Sequence, residues 1–161
     1  MTAPRKLLIV GGLALAAWGM GYGIYYAVLM EHQTLDGLGS ALATGFIRAA
    51  ERRMPESQAA LADAASRSFD YARQVDAHGH WIGLGLLLVI LGFAFDRVAL
   101  REGIRMLLAL ALLSGAVLFP LGVLLETWNR GFGPQAIAVA GSALVVIGSL
   151  GTAWGFARED R

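Results

Sequence analysis

Three histidines and one glutamate are the residues whose placement could do chemistry in this 161-residue chain: His32, His78, His80 and Glu126. His78 and His80 stand one residue apart in "VDAHGHWIGLGLLLVILGF", where polar sequence turns into a long apolar run. Imidazole and carboxylate together suit zinc, copper or non-haem iron, and two facing imidazoles suit haem. The chain has no cysteine, which excludes disulfides, thiolate metal sites and iron–sulfur clusters. Residues two apart on a helix point about 200° from each other, so His78 and His80 share an ion only if the backbone is extended at Gly79. A regular helix instead puts His78 on the face of Gly85 and Gly92, toward the interior, and His80 near the interface with Trp81. His32 follows Tyr25 by seven residues at the outer end of a first helix, and Glu126 follows Gly122 by four at the outer end of a third. The four side chains are therefore candidates to meet at one level, His32, His78 and His80 as cofactor ligands and all four as metal ligands, for haem b, copper or zinc. The plain alternative is equally open: histidine is tolerated at the headgroup level as a hydrated side chain, and Glu126 has Arg130 four residues on as an ion-pair partner.

The elements that must position these residues are membrane helices. With 57% hydrophobic and 16% charged residues, and a mean hydropathy of +0.59, the composition is more apolar than that of a soluble domain. Four weakly charged stretches, about 7–30, 78–96, 105–126 and 134–157, are each of a length to cross a ~30 Å hydrocarbon core. Lipid cannot hydrogen-bond the backbone, and no alternating strand pattern is present, so the spans are helices. The fold expected is all-α: an integral membrane four-helix bundle, one domain over 1–161, with an amphipathic helical hairpin over 31–77 between the first two spans. Leu35, Leu38, Leu42 and Phe46 recur at helical spacing before a turn and helix start at Met54-Pro55-Glu56, and Leu61, Ala65, Phe69, Ala72 and Val75 do so after it. That hairpin either prolongs the first two spans or lies on the bilayer, and Gly37 and Gly39 leave the choice open.

Glycines recur seven apart in every span: Gly12 and Gly19, Gly85 and Gly92, Gly115 and Gly122, Gly141 and Gly148. Seven residues nearly complete two turns, so each pair lies on one face and admits a neighbouring backbone, predicting a compact left-handed bundle. Arg5, Lys6, Arg97, Arg101, Arg105, Arg158 and Arg161 gather at one membrane face, against Arg130 in the last connection at the other. By the positive-inside rule both termini are cytoplasmic and the hairpin is outside, which in a bacterial inner membrane means periplasmic.

The stretch "DAHGHWIGLGLLLVILGF" resembles the start of a membrane helix in the haem–copper oxidase catalytic-subunit superfamily, over about twenty residues. That resemblance implies that His78 or His80 is an axial haem ligand or a copper ligand, with His32, Met30 or Met20 as the candidates to complete an axial pair. The third and fourth spans contain no histidine, and the oxidases' copper histidines and proton-channel acids have no counterpart here, so an oxygen-reducing centre is not expected.

Two functions follow. One is a small inner-membrane protein binding a single haem or metal ion near its periplasmic face, in electron transfer or cofactor handling. The other is a cofactor-free accessory subunit bracing a larger membrane complex. The expected partners are the lipid bilayer and either other membrane subunits or further copies of the chain. No nucleophile–base pair points to an enzyme, no inverted repeat to a transporter, and a net charge of +1 offers no nucleic-acid patch.

Overall fold

The computed structural model describes residues 1–158, so Arg161, one of the charges used above for orientation, lies outside the described residues. The order is α1 (Ala3–Leu29), α2 (Glu31–Ala50), α3 (Met54–Ala94), a 3₁₀ turn (Phe95–Arg97), α4 (Glu102–Leu125) and α5 (Phe132–Phe156), with no strand among the described residues. Helices α1, α3, α4 and α5 are long and apolar enough to span a membrane. Pro4 and Pro55 sit in the first turns of α1 and α3, where a missing N–H costs no hydrogen bond.

The hairpin's second arm and the second span are one unbroken 41-residue helix. Gly79 does not interrupt it, so His78 and His80 lie on regular helix. At 1.5 Å per residue α3 is roughly 60 Å long, about twice the hydrocarbon thickness. Helix α2 continues outward from α1 after Met30 and packs along the first half of α3. Between the two arrangements left open by Gly37 and Gly39, the hairpin prolongs the first two spans.

The heptad glycines do bring backbones together, in pairs of helices rather than around a common axis. A Cβ on Gly12 would lie 2.5 Å from the carbonyl oxygen of Gly85, and one on Gly85 would lie 2.7 Å from that of Gly12. Gly19 meets Trp81 and Ile82, and Gly92 meets Leu8 and Ile9, completing the α1–α3 seam. Along α4 and α5, Gly115 faces Gly141, Gly122 faces Ala138 and Gly148 faces Leu112. Helix α4 also lies along α1 and α3, but no Cα of α5 comes within 8 Å of either. The compact bundle expected from the glycines is thus an open one, two antiparallel pairs joined through α4. Each heptad glycine face is taken up by a single partner, Gly12, Gly19, Gly85 and Gly92 between α1 and α3 and Gly115, Gly122, Gly141 and Gly148 between α4 and α5.

The end of the bundle that holds the N-terminus is tied by polar contacts. Arg5 Nη1 lies 2.8 Å from Asp96 Oδ2, Thr2 Oγ1 donates to Asp96 Oδ1 at 2.6 Å, and the Ala99 amide donates to the Gly155 carbonyl at 3.0 Å.

The face that α2 turns to α3 differs from the expected stripe. The contact is made by the small residues Ala41, Gly45, Ser57 and Ala64, and Ser57 Oγ donates to the Gly45 carbonyl at 2.8 Å. Leu35, Leu42 and Phe46 are exposed instead, Phe46 to 69%. Close helix approach needs small side chains at the crossing, and that requirement outranks the larger apolar area of the leucines. The tip turns through Arg52, at φ 59, with the Arg53 amide donating to the Arg48 carbonyl. This is the bond pattern of a Schellman cap with arginine where glycine is usual. Arg48 and Arg53 both pair with Glu51 and Glu56 across it.

Candidate functional site

The start of α2 (His32), the middle of α3 (His78 and His80) and the C-terminal end of α4 (Glu126) carry the four candidate residues. Their register is set by the α1–α3 seam, in which the ring of His78 rests on Gly23, its Cδ2 3.0 Å from where a Cβ would stand. Further out, the Tyr22 hydroxyl donates to Gln74 Oε1, and the Tyr71 hydroxyl donates to Glu31 Oε1 at 2.9 Å. Trp81 packs edge-on against both Trp18 and Tyr22, at centroid distances of 6.3 and 5.7 Å.

The four side chains do not converge. His78 is half-buried against α1, and its Nδ1 lies 3.0 Å from the Gln74 carbonyl. A carbonyl only accepts, so Nδ1 carries the proton in this bond and Nε2 keeps its lone pair. His80 points to α4, its ring 4.7 Å from that of Phe119. His32 is solvated, with a side chain 89% exposed and Nε2 3.3 Å from Asp36 Oδ2 on its own helix. Tyr71 is level with Glu31, and His78 is seven residues beyond Tyr71, so His32 and His78 are roughly 10 Å apart along the axis. The expected common level is lost because α2 carries His32 on beyond the end of α1, above the point where α1 meets His78.

Glu126 is buried to 9% exposure, and its partner is Arg73 of α3, with Nε 2.8 Å from Oε2. Arg130, the partner suggested by spacing, reaches α3 as well: its Nη2 donates to Ser66 Oγ at 2.8 Å and to Asp70 Oδ1 at 3.0 Å. The guanidinium groups of Arg73 and Arg130 both sit over the Phe69 ring, 4.8 and 4.5 Å from its centroid. Among the described residues no three His, Asp or Glu side chains are arranged to hold a metal ion. Ser66 and Arg73 are the members of this cluster that the sequence motifs do not single out. A signal for them is present all the same: Ser66, Asp70, Arg73, Ala77 and His80 recur every three or four residues and mark the face of α3 that meets α4.

What this arrangement can do is mechanical. Ion pairs and aromatic contacts lock the α4–α5 connection against α3 just outside the apolar spans, so the upper half of α3 is held to the membrane helices at two points. In comparison with known proteins, the chain matches no family model, and no curated protein and no solved structure is significantly similar to it.

Proposed function

We propose that this protein is a cofactor-free accessory subunit of a bacterial inner membrane, whose α2–α3 hairpin stands out from the bilayer as a rigid post that engages other protein. The observation that carries this reading is the continuity of α3, because a single helix running from the hairpin tip into the membrane transmits position without a hinge. The Arg73–Glu126 and Arg130–Asp70 pairs brace it from α4 and the following turn. The basic residues Arg5, Lys6, Arg97, Arg101 and Arg105 favour cytoplasmic termini and hence a periplasmic post.

A second reading keeps one haem b, copper or zinc at His78, with the oxidase-like stretch as its source. The hydrogen bond from Nδ1 to the Gln74 carbonyl favours it, since metal-bound histidines commonly anchor their other nitrogen in this way. His32, His80 and Glu126 face other partners and would not complete its ligand set.

An absorption spectrum and metal analysis of protein purified from membranes separate the two. Colourless, metal-free protein supports the accessory role. A Soret band or stoichiometric copper or zinc that is lost in His78→Ala and kept in His32→Ala would replace it with the second reading.

A further inference from the structure

Charge is handled differently at the two ends of the molecule. In the hairpin and the last connection, Arg48, Arg53, Arg67, Arg73 and Arg130 each lie in an ion pair with an acid of the chain. At the N-terminal end of the bundle only Arg5 does, and its partner Asp96 is taken up by Arg5 and Thr2 together. Lys6, Arg97, Arg101 and Arg105 have no acidic partner among the described residues, and Glu102 is the one described acid of that end outside an ion pair. By sequence the segments that meet at this end carry Arg5, Lys6, Arg97, Arg101, Arg105, Arg158 and Arg161 against Asp96, Glu102, Glu159 and Asp160. The surplus is positive.

An apolar groove opens at the same end, between the N-terminal parts of α1 and α4. Its volume is about 580 Å³, and its walls are Leu7 and Val10 on α1 and Met106 and Leu110 on α4. Ala3 and Lys6 stand at its mouth, where the polar start of α1 gives way to the apolar span, and Lys6 is the one charged residue that lines it. At the other end Gly11 meets Leu113, whose Cδ1 lies 2.8 Å from where a Cβ on that glycine would stand. This contact closes the groove roughly 12 Å from Ala3, at 1.5 Å per residue. Val10 and Leu110 are exposed, so the groove is open along the flank of two membrane spans, where lipid lies.

We propose that this groove holds an anionic phospholipid of the adjoining leaflet, with its phosphate at Lys6 and the upper part of one acyl chain between α1 and α4. Charge complementarity selects the headgroup. The phosphodiester supplies the negative charge that this end of the chain lacks, and basic pockets between membrane helices recruit anionic headgroups for that reason. The stem of Lys6 lies along apolar surface while its ammonium reaches the headgroup level. Glu102 stands one turn further from the hydrocarbon than Met106, so it opposes the phosphate less than Lys6 attracts it. The shape of the groove selects the chain. A membrane-crossing helix would have to continue past Leu113, where the groove ends, whereas an acyl chain need only lie against its first two turns. The inference goes beyond the accessory role and depends neither on that role nor on which leaflet adjoins this end.

Native mass spectrometry of the full chain, released from detergent micelles that contain equal amounts of phosphatidylglycerol and phosphatidylethanolamine, tests the proposal. One phosphatidylglycerol is expected to stay bound at collision energies that strip phosphatidylethanolamine. Lys6→Gln is expected to lower that occupancy several-fold. Val10→Trp, which fills the groove and leaves every charge in place, is expected to lower it as much. Arg158→Gln removes a cation of the same end that α5 carries and that stacks over Trp154, and it is expected to keep the lipid. Lys6, Val10 and Arg158 are all exposed, so the helical circular dichroism of the three variants is expected to match that of the parent. Equal retention of the two lipids would overturn the choice of an anionic headgroup. Equal losses in Lys6→Gln and Arg158→Gln would overturn the site in favour of general charge attraction, and full retention in Val10→Trp would overturn the groove as its seat. Phosphatidylglycerol held in this way by a haem- or metal-loaded protein would keep the lipid site and overturn the accessory role.

Discussion

Arg73 Nε and Glu126 Oε2 stand 2.8 Å apart, joining the polar half of α3 to the C-terminal end of α4. The carboxylate is nearly buried and the guanidinium is about one-third exposed, so losing the arginine strands an acid with little access to water. Arg73→Ala is expected to cost about 1–3 kcal/mol in a detergent unfolding titration. The double variant Arg73→Met with Glu126→Leu is expected to recover most of that, since a buried pair is readily replaced by apolar packing. Additive losses in the double variant would show that the two residues are not coupled.

Some glycines touch the backbone of another helix, and others face open space. Gly85→Ala forces a methyl group into the backbone of α1 at Gly12 and Ala16, and is expected to destabilise by about 1–3 kcal/mol. Gly21→Ala meets nothing within 4 Å and is expected to be neutral or to stabilise by up to about 1 kcal/mol through helix propensity. Thermal midpoints of the two variants in one detergent compare them directly; equal midpoints would contradict the paired glycine seams.

Arg52 holds a left-handed backbone conformation at the hairpin tip, which costs an L-residue about 1 kcal/mol relative to glycine. None of the ion pairs across the tip involves its side chain among the described residues. Arg52→Gly is therefore expected to stabilise the protein by about that amount, read as a raised unfolding midpoint. A lowered midpoint would mean that the side chain contributes more than the backbone strain.

The charge distribution predicts sidedness. Single cysteines at the exposed positions Gln58, near the tip, and Arg101, before α4, are expected to label from opposite sides of the membrane in intact cells. Gln58→Cys should react with an impermeant maleimide and Arg101→Cys should not. The reverse pattern would invert the protein, and labelling of both from outside would remove the membrane-spanning arrangement of α3.

The sequence by itself determined the helical class, the four apolar stretches and the helix start at Met54-Pro55, because length, hydropathy and proline geometry are local properties of the chain. It also determined that the heptad glycines are contact faces, since seven residues return to one side of a helix whatever lies opposite. Only the tertiary structure decided which glycine face meets which. Gly12 with Gly85 and Gly115 with Gly141 make two tight pairs in place of one compact bundle, and a heptad pattern does not name its partner. The site residues divide in the same way. Opposite directions for His78 and His80 follow from a 100° step per residue and could be read from the chain. The isolation of His32 and the pairing of Glu126 with Arg73 could not, because both depend on the level at which α2 and α4 stand against a continuous α3. The exposed Leu35 and Leu42 carry the same lesson: periodicity locates an apolar face, but side-chain size at the crossing decides which face another helix can approach.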